Sequence, residues 1–206
     1  GIRRGDGRDV GAERATRTVS TADLAERLDV ILRELDVEYE HPAPEAFVVA
    51  LPGERRLKTA CWLTIGLHAL EIEAFVLRKP DENAEKVYAH LLQLNARSYA
   101  VSWSIDSMGD VYLSGRVPLG CITAEEIDRI LGSVLEYADG SFNSLLELGF
   151  GSSIRREWDW RVKRGESLAN LQAFEEFATR SGANHEQSAK RSGADDERSA
   201  TRRPAD

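Results

Sequence analysis

Residues 57–77, LKTACWLTIGLHALEIEAFVL, decide the fold. The run 57–65 is rich in β-branched and aromatic side chains, and Gly66, Leu67 and His68 supply a tight link. In 69–77 the apolar Leu70, Ile72, Ala74 and Val76 alternate with Glu71, Glu73 and Phe75. That period of two predicts a strand with one face buried and the other turned to water or a partner. Strands joined by so short a turn run antiparallel.

Working outward, a further strand is predicted over 46–51, closed by Pro52 and Gly53. Two more are predicted over 99–105 and 111–117, and Asp106 to Asp110 between them is turn chemistry. Helical spacing precedes the sheet. Ser20 is a good N-cap with Asp23 three residues on, and Leu24, Leu28, Ile31, Leu32 and Leu35 mark a helix over 21–37. A second helix follows Pro80-Asp81-Glu82-Asn83, with Asp81 as its expected cap and a stripe through Val87, Tyr88, Leu91 and Leu94. The third starts at the Thr123/Glu126 capping box and carries Ile127, Ile130, Leu131, Val134 and Leu135. Gly140 is expected to break or kink it, with further helices over about 153–163 and 168–179. The order α-β-β-β-α-β-β-α makes an α+β domain: an antiparallel sheet with helices packed on one face and extra C-terminal helices.

The 206 residues, 42% hydrophobic and 30% charged, suit one domain with tails. Residues 1–19 are rich in Gly, Arg and Asp without hydrophobic period, and read as a disordered arm. Residues 181–206 contain no aromatic, Leu, Ile or Val, and read as a disordered tail. The domain is assigned to 20–180. Five Arg in the arm outnumber Asp6, Asp9 and Glu13, and the tail is balanced, so with a net charge of −8 the body 20–180 carries −10. An acidic body repels phosphate backbones, so no nucleic-acid partner is expected. Cys61 and Cys121 lie far apart with no C-x-x-C pair, which fits a reducing cytoplasm. No apolar stretch reaches the length of a membrane span. The basic start lacks the apolar core of a secretory signal, and Gly1 in place of Met fits a processed chain or a fragment.

The segments LPGERRLKTACWL, EAFVLRKPDEN, VYLSGRVPL, LEYADGSFNSLLELGF and SIRREWDWR resemble actinobacterial proteins of the YbjN family. The resemblance spans about residues 22–165. It implies a fold similar to type III secretion chaperones, with the helix and strand order read above. It also implies a sensory transduction regulator with no catalytic residues to carry over, and a sheet-lined cavity or a homodimer.

The residues themselves show no phosphate-cradling loop, no dinucleotide-binding glycines and no nucleophile elbow. His41, His68, His90 and His185 are scattered, without metal-ligand spacing, so neither metal nor cofactor is expected. Glu71 and Glu73 share a strand face and, with His68, form the one conceivable acid–base cluster; a solvated face is the simpler reading. Arg155, Arg156, Trp158, Trp160 and Arg161 are the candidate partner-binding residues, because Arg and Trp are enriched at interaction hot spots. On a helix Ile154, Trp158 and Arg161 share a face, so one Trp packs on the body while Trp160 is partly exposed. The alternative is that both Trp dock the helix on the sheet. Trp62 and Trp103 are expected in the core; on an open face they would line a ligand groove. The reading is a cytoplasmic, non-enzymatic, regulatory or chaperone-like module for a protein or peptide partner. Small-molecule binding, or an enzyme with an unfamiliar acid–base site, is the alternative.

Overall fold

The computed structural model describes residues 20–168 and Glu175. The expected arm 1–19 and tail 181–206 lie outside the described residues, as does nearly all of the helix expected over 168–179. The elements are α1 (Thr21–Glu34), β1 (Glu38–Ala43), β2 (Ala46–Pro52), β3 (Lys58–Ile65), β4 (Ala69–Leu77), α2 (Ala84–Asn95), β5 (Val101–Ile105), β6 (Val111–Pro118) and α3 (Ala124–Arg164). The strands form one antiparallel sheet in the order β1-β2-β3-β4-β6-β5. The chain is therefore α+β, as its hydrophobic periods predict.

The alternation in β2 to β6 sorts side chains onto two faces. Phe47, Val49, Leu63, Leu70, Ile72, Ala74, Val111 and Leu113 are buried. Above them α1 packs on β3 and α3, α2 on β5 and α3, and α3 crosses β2 to β5. Burying each such Leu, Ile or Val contributes about 1.5–3 kcal/mol. The Ser20/Asp23 capping box starts α1, and Leu24, Leu28, Ile31 and Leu32 form its buried stripe.

The sheet has one strand more than expected. β1 reads EYEHPA and is almost wholly exposed, so it lacks the alternation that marks a strand. It is an edge strand, held by Tyr39 donating to Asp29 Oδ1 at 2.6 Å and by the His41 ring stacked 4.1 Å from Phe47. At the other edge Asn95 closes β5. Its Oδ1 accepts from Trp103 N at 2.7 Å and its Nδ2 donates to Trp103 O at 3.1 Å.

Three other expectations are corrected. Asp81 does not cap α2; Asn83 precedes the helix in the left-handed region (φ 53°) and sends its side chain to the Leu148 carbonyl instead. Trp62 is not in the core. It pairs across from Val48 and Glu73, a parity that puts it on the helix-free face, 44% exposed. Nor does Gly140 break α3, which runs unbroken for 41 residues and takes in the stretch 153–163 expected as a separate helix. Leu131, Val134 and Ala138 before it, and Leu145 after it, are all buried, and that packing outweighs the propensity cost of one glycine.

Gly140 is exposed, and a Cβ there meets nothing within 4 Å. Gly140→Ala should therefore raise the unfolding free energy by about 0.5–1 kcal/mol. Equal urea midpoints for the two proteins would show that the glycine is not a helical-interior residue in solution.

Candidate functional site

The site starts from a buried carboxylate. Asp139 lies on the face of α3 that also carries Leu135, Phe142, Leu146 and Phe150, and it is buried. Its Oδ1 accepts from the backbone N–H of Arg55 and of Arg56, each at 2.8 Å. Burial opposes its ionisation, but the N–H donors of Arg56, Arg55 and Glu54 outweigh that and hold its carboxyl below the usual range. The β2–β3 connection thus sits over α3. Gly53 is required there, because a Cβ would collide with Asp139 Oδ1 and the Arg56 carbonyl.

This anchoring aims Arg56. β3 and β4 pair from Ile65↔Leu70 to Cys61↔Ala74. Beyond that, the Arg56 guanidinium donates to the Val76 carbonyl on β4. Its carbon lies 5.7 Å from the Phe75 ring centre and 5.5 Å from that of Phe142, a two-sided cation–π arrangement. Burial pushes its pKa down from the ordinary arginine value, though an arginine stays charged at neutral pH.

A second turn, Arg78 to Asn83, docks further along α3. Glu82 N donates to the Gly149 carbonyl at 3.1 Å, and Glu82 Oε1 accepts from Ser152 N at 2.6 Å. That bond holds the Glu82 carboxyl below its usual range. Gly149 lets the turn approach: a Cβ there would lie 3.0 Å from Pro80 Cβ. Arg78 grips Asp81 with two N–H···O bonds of 2.5 and 2.8 Å and covers the Phe150 ring at 4.5 Å. Asp81 also accepts from Ser153 Oγ at 3.1 Å.

Between these turns and α3 runs a groove of about 540 Å³, lined chiefly by Phe75, Leu77, Phe142, Leu146, Phe150 and Ile154, with Arg56, Arg78 and Glu157 among its polar groups. A second hollow shares Ser153 and Glu157 with it and adds Arg156, Trp160 and Arg161. The two adjoin at those residues. Another hollow, of about 620 Å³, lies on the helix-free sheet face between Trp62, Glu71, Glu73, Ser114 and Arg116. There Glu71 is paired with Arg116 at 3.1 Å. His68 stands exposed in the hairpin turn, so the acid–base cluster is not assembled as a site. Among the described residues no three His, Cys, Asp or Glu side chains converge to hold a metal ion. Cys61 is fully buried, and burial pushes its thiol up to about 12, which leaves it unreactive. Among the described residues no helix is long and apolar enough to cross a membrane.

The candidate residues from the sequence are dispersed. Trp103 is in the core and Trp62 on the open sheet face. Arg155, Arg156, Trp158, Trp160 and Arg161 all lie on the last turns of α3, where no described residue after Gly151 is buried. Trp158 is half-buried; Trp160 is 44% exposed under the Arg164 guanidinium at 4.6 Å. Arg156 donates to Ser153 Oγ at 3.1 Å and Arg161 to Glu157 at 2.6 Å.

A family match spans the sheet and α3 as far as residue 147, short of Phe150, Ile154 and the Arg- and Trp-bearing end. The family model YbjN, described as "Putative bacterial sensory transduction regulator", matches residues 24–147. The chain belongs to the YbjN family. An uncharacterised protein of Mycobacterium tuberculosis (strain H37Rv) is 56% identical to this YbjN chain over 139 residues, 66% of this chain and 76% of the relative. One of Mycobacterium leprae is 61% identical over 127 residues, 62% and 69% of the two chains. The crystal structure of the ExsC–ExsE complex aligns with a TM-score of 0.46 and 14% identity, over 61% of the YbjN chain and 95% of that one.

Sequence reasoning missed Arg56, Asp139 and Phe142. For Asp139 a signal exists: Leu135, Asp139, Phe142, Leu146 and Phe150 share one helical face, and a lone carboxylate in such a stripe needs donors.

Asp139→Ala removes the acceptor of two part-buried N–H groups and should cost about 1–3 kcal/mol, whereas Asp139→Asn, which keeps one acceptor oxygen, should cost about half as much. Because the folded pKa lies below the unfolded one, the carboxylate's charge-dependent contribution is present above the unfolded value. It is lost as pH falls through the folded value. Chemical unfolding across pH 2–7 should show wild-type stability falling at the acid end and Asp139→Asn responding less there. Parallel pH curves would refute the assignment.

Proposed function

We propose that this chain is a non-enzymatic binding module, regulatory or chaperone-like, that holds a segment of a protein partner in the cytoplasm. One observation carries the reading: the apolar groove adjoins, at Ser153 and Glu157, the hollow at the Arg- and Trp-bearing end of α3. Its α3 side, from Phe142 to Glu157, extends over four turns, about 22 Å at 1.5 Å per residue. A small molecule is normally held in a site that buries most of its surface. An open groove of this length better suits a helix laid on its apolar face, anchored at i, i+3/i+4 and i+7. Phe75, 40% exposed, and Trp160 stand where hot-spot aromatics are expected to anchor such a segment. Chemistry finds less support, since Glu71 is committed to Arg116. The description of the family as a sensory transduction regulator agrees with a binding role.

Affinity capture with the full chain, wild type and two folded variants, tests this. Ile154→Glu places a charge in the groove, and Trp160→Ala removes the exposed ring. Both variants should keep the wild-type circular dichroism spectrum and lose at least tenfold of the specific protein that wild type retains. Retention by both variants at wild-type levels, or no specific protein retained by wild type, would overturn the assignment. Light scattering of the same samples tests whether the chain is the expected homodimer.

A further inference from the structure

Arg56 differs from three of the arginines around it. Arg78 has Asp81, Arg161 has Glu157 and Arg55 reaches Asp139 at 3.9 Å. Arg56 is half-buried, with the Val76 carbonyl and two aromatic faces for company, and has no carboxylate partner among the described residues. A guanidinium carries five N–H donors, and a single carbonyl leaves most of them free. A cation drawn partly out of water without a counter-charge is costly, and a carboxylate arriving beside it recovers that cost through charge-assisted hydrogen bonds.

The surroundings restrict what brings the carboxylate. Phe75 and Phe142 flank Arg56, and Leu146, Phe150 and Ile154 continue the same wall, so the incoming group is attached to apolar surface. A phosphate backbone brings a row of charges toward a chain of net charge −8, whereas a single carboxylate on an apolar segment brings one. Glu157, the one carboxylate among the described residues lining the groove, is neutralised by Arg161, with Arg156 nearby; Glu166 lines only the adjoining hollow at the far end.

Resting on the reading of the groove as a protein-binding site, we propose that its occupant is an acidic amphipathic segment of a protein partner. One Asp or Glu carboxylate of that segment sits on the Arg56 guanidinium. The apolar residues three and four positions away fill the groove between Phe142 and Ile154. Arg56 then selects charge, while the apolar wall supplies area.

The test is a selection of random 16-residue displayed peptides on the full chain, each enriched sequence then being synthesised with its acidic residue as Asp or Glu and as the matching amide. Enriched peptides should carry an acidic residue beside apolar ones at helical spacing and lose binding to Ile154→Glu. The amide should bind wild type at least tenfold more weakly, and Arg56→Gln should reduce that ratio to less than threefold. Arg56→Lys should keep part of it. Both peptides are compared on the same variant, so any general harm done by the substitution cancels. Groove-dependent peptides whose acid-to-amide ratio is unaffected by Arg56→Gln would overturn the proposal and leave the groove a protein site with Arg56 as a plug. Absence of any groove-dependent peptide would overturn both readings. Dodecanoate is titrated alongside as a probe, and Arg56-dependent binding of it alone would assign the groove to a small carboxylate instead.

Discussion

The Asp139 carboxylate on the backbone N–H groups of Arg55 and Arg56 is the contact on which the rest of this structure depends. It ties the β2–β3 connection, at the end of the sheet, to the middle of the longest helix. An uncapped turn at that place would present buried donors with no acceptor, which structures avoid. Because both bonds are to backbone, any side chains at Arg55 and Arg56 would satisfy the turn. Gly53 is the exception, since nothing larger fits against the carboxylate. What the anchoring adds is direction. It fixes the Cα of Arg56 so that the guanidinium reaches the Val76 carbonyl and stands between two rings.

The second turn repeats the device with the roles reversed. There α3 supplies backbone groups, and Asn83 and Glu82 supply the side chains that meet them. Together the two turns fix α3 against the end of β4, and the groove lies between them. Its walls are therefore set by hydrogen bonds to backbone, which shift little when surface side chains change. Phe75 connects this space to the other side of the sheet, its ring lying edge-on to Tyr112 at 5.5 Å.

The elements whose residues alternate or recur at helical spacing were legible in the sequence. β3, β4 and α1 follow directly from where Leu, Ile and Val fall. β1 was hidden because an edge strand with one partner and two wet faces has no need of alternation. α3 was divided because glycine lowers helix propensity locally, whereas continuity here is decided by packing on both sides of Gly140. Trp62 was misplaced for a related reason: residue type says a Trp prefers burial, but strand parity, counted from Cys61 and Leu63, puts it outside. The Trp and Arg cluster of 155–161 was visible as composition. That it adjoins a groove was not, because the groove is made by residues brought together from three parts of the chain. Arg56 in particular reads as one more charge in a polar turn.

Both margins of the sheet are closed to strand addition. β1 offers Glu38, Glu40, His41 and Pro42 to anything that would pair with it, and proline has no N–H to give. On β5 the Asn95 amide already occupies the N–H and carbonyl of the central residue, as a neighbouring strand would. Fibrillar growth through the edges is thereby discouraged, even with aromatic side chains uncovered on the open face. Peptides that bind other proteins by extending a sheet have no purchase here, and what this chain recruits must come to a surface of side chains.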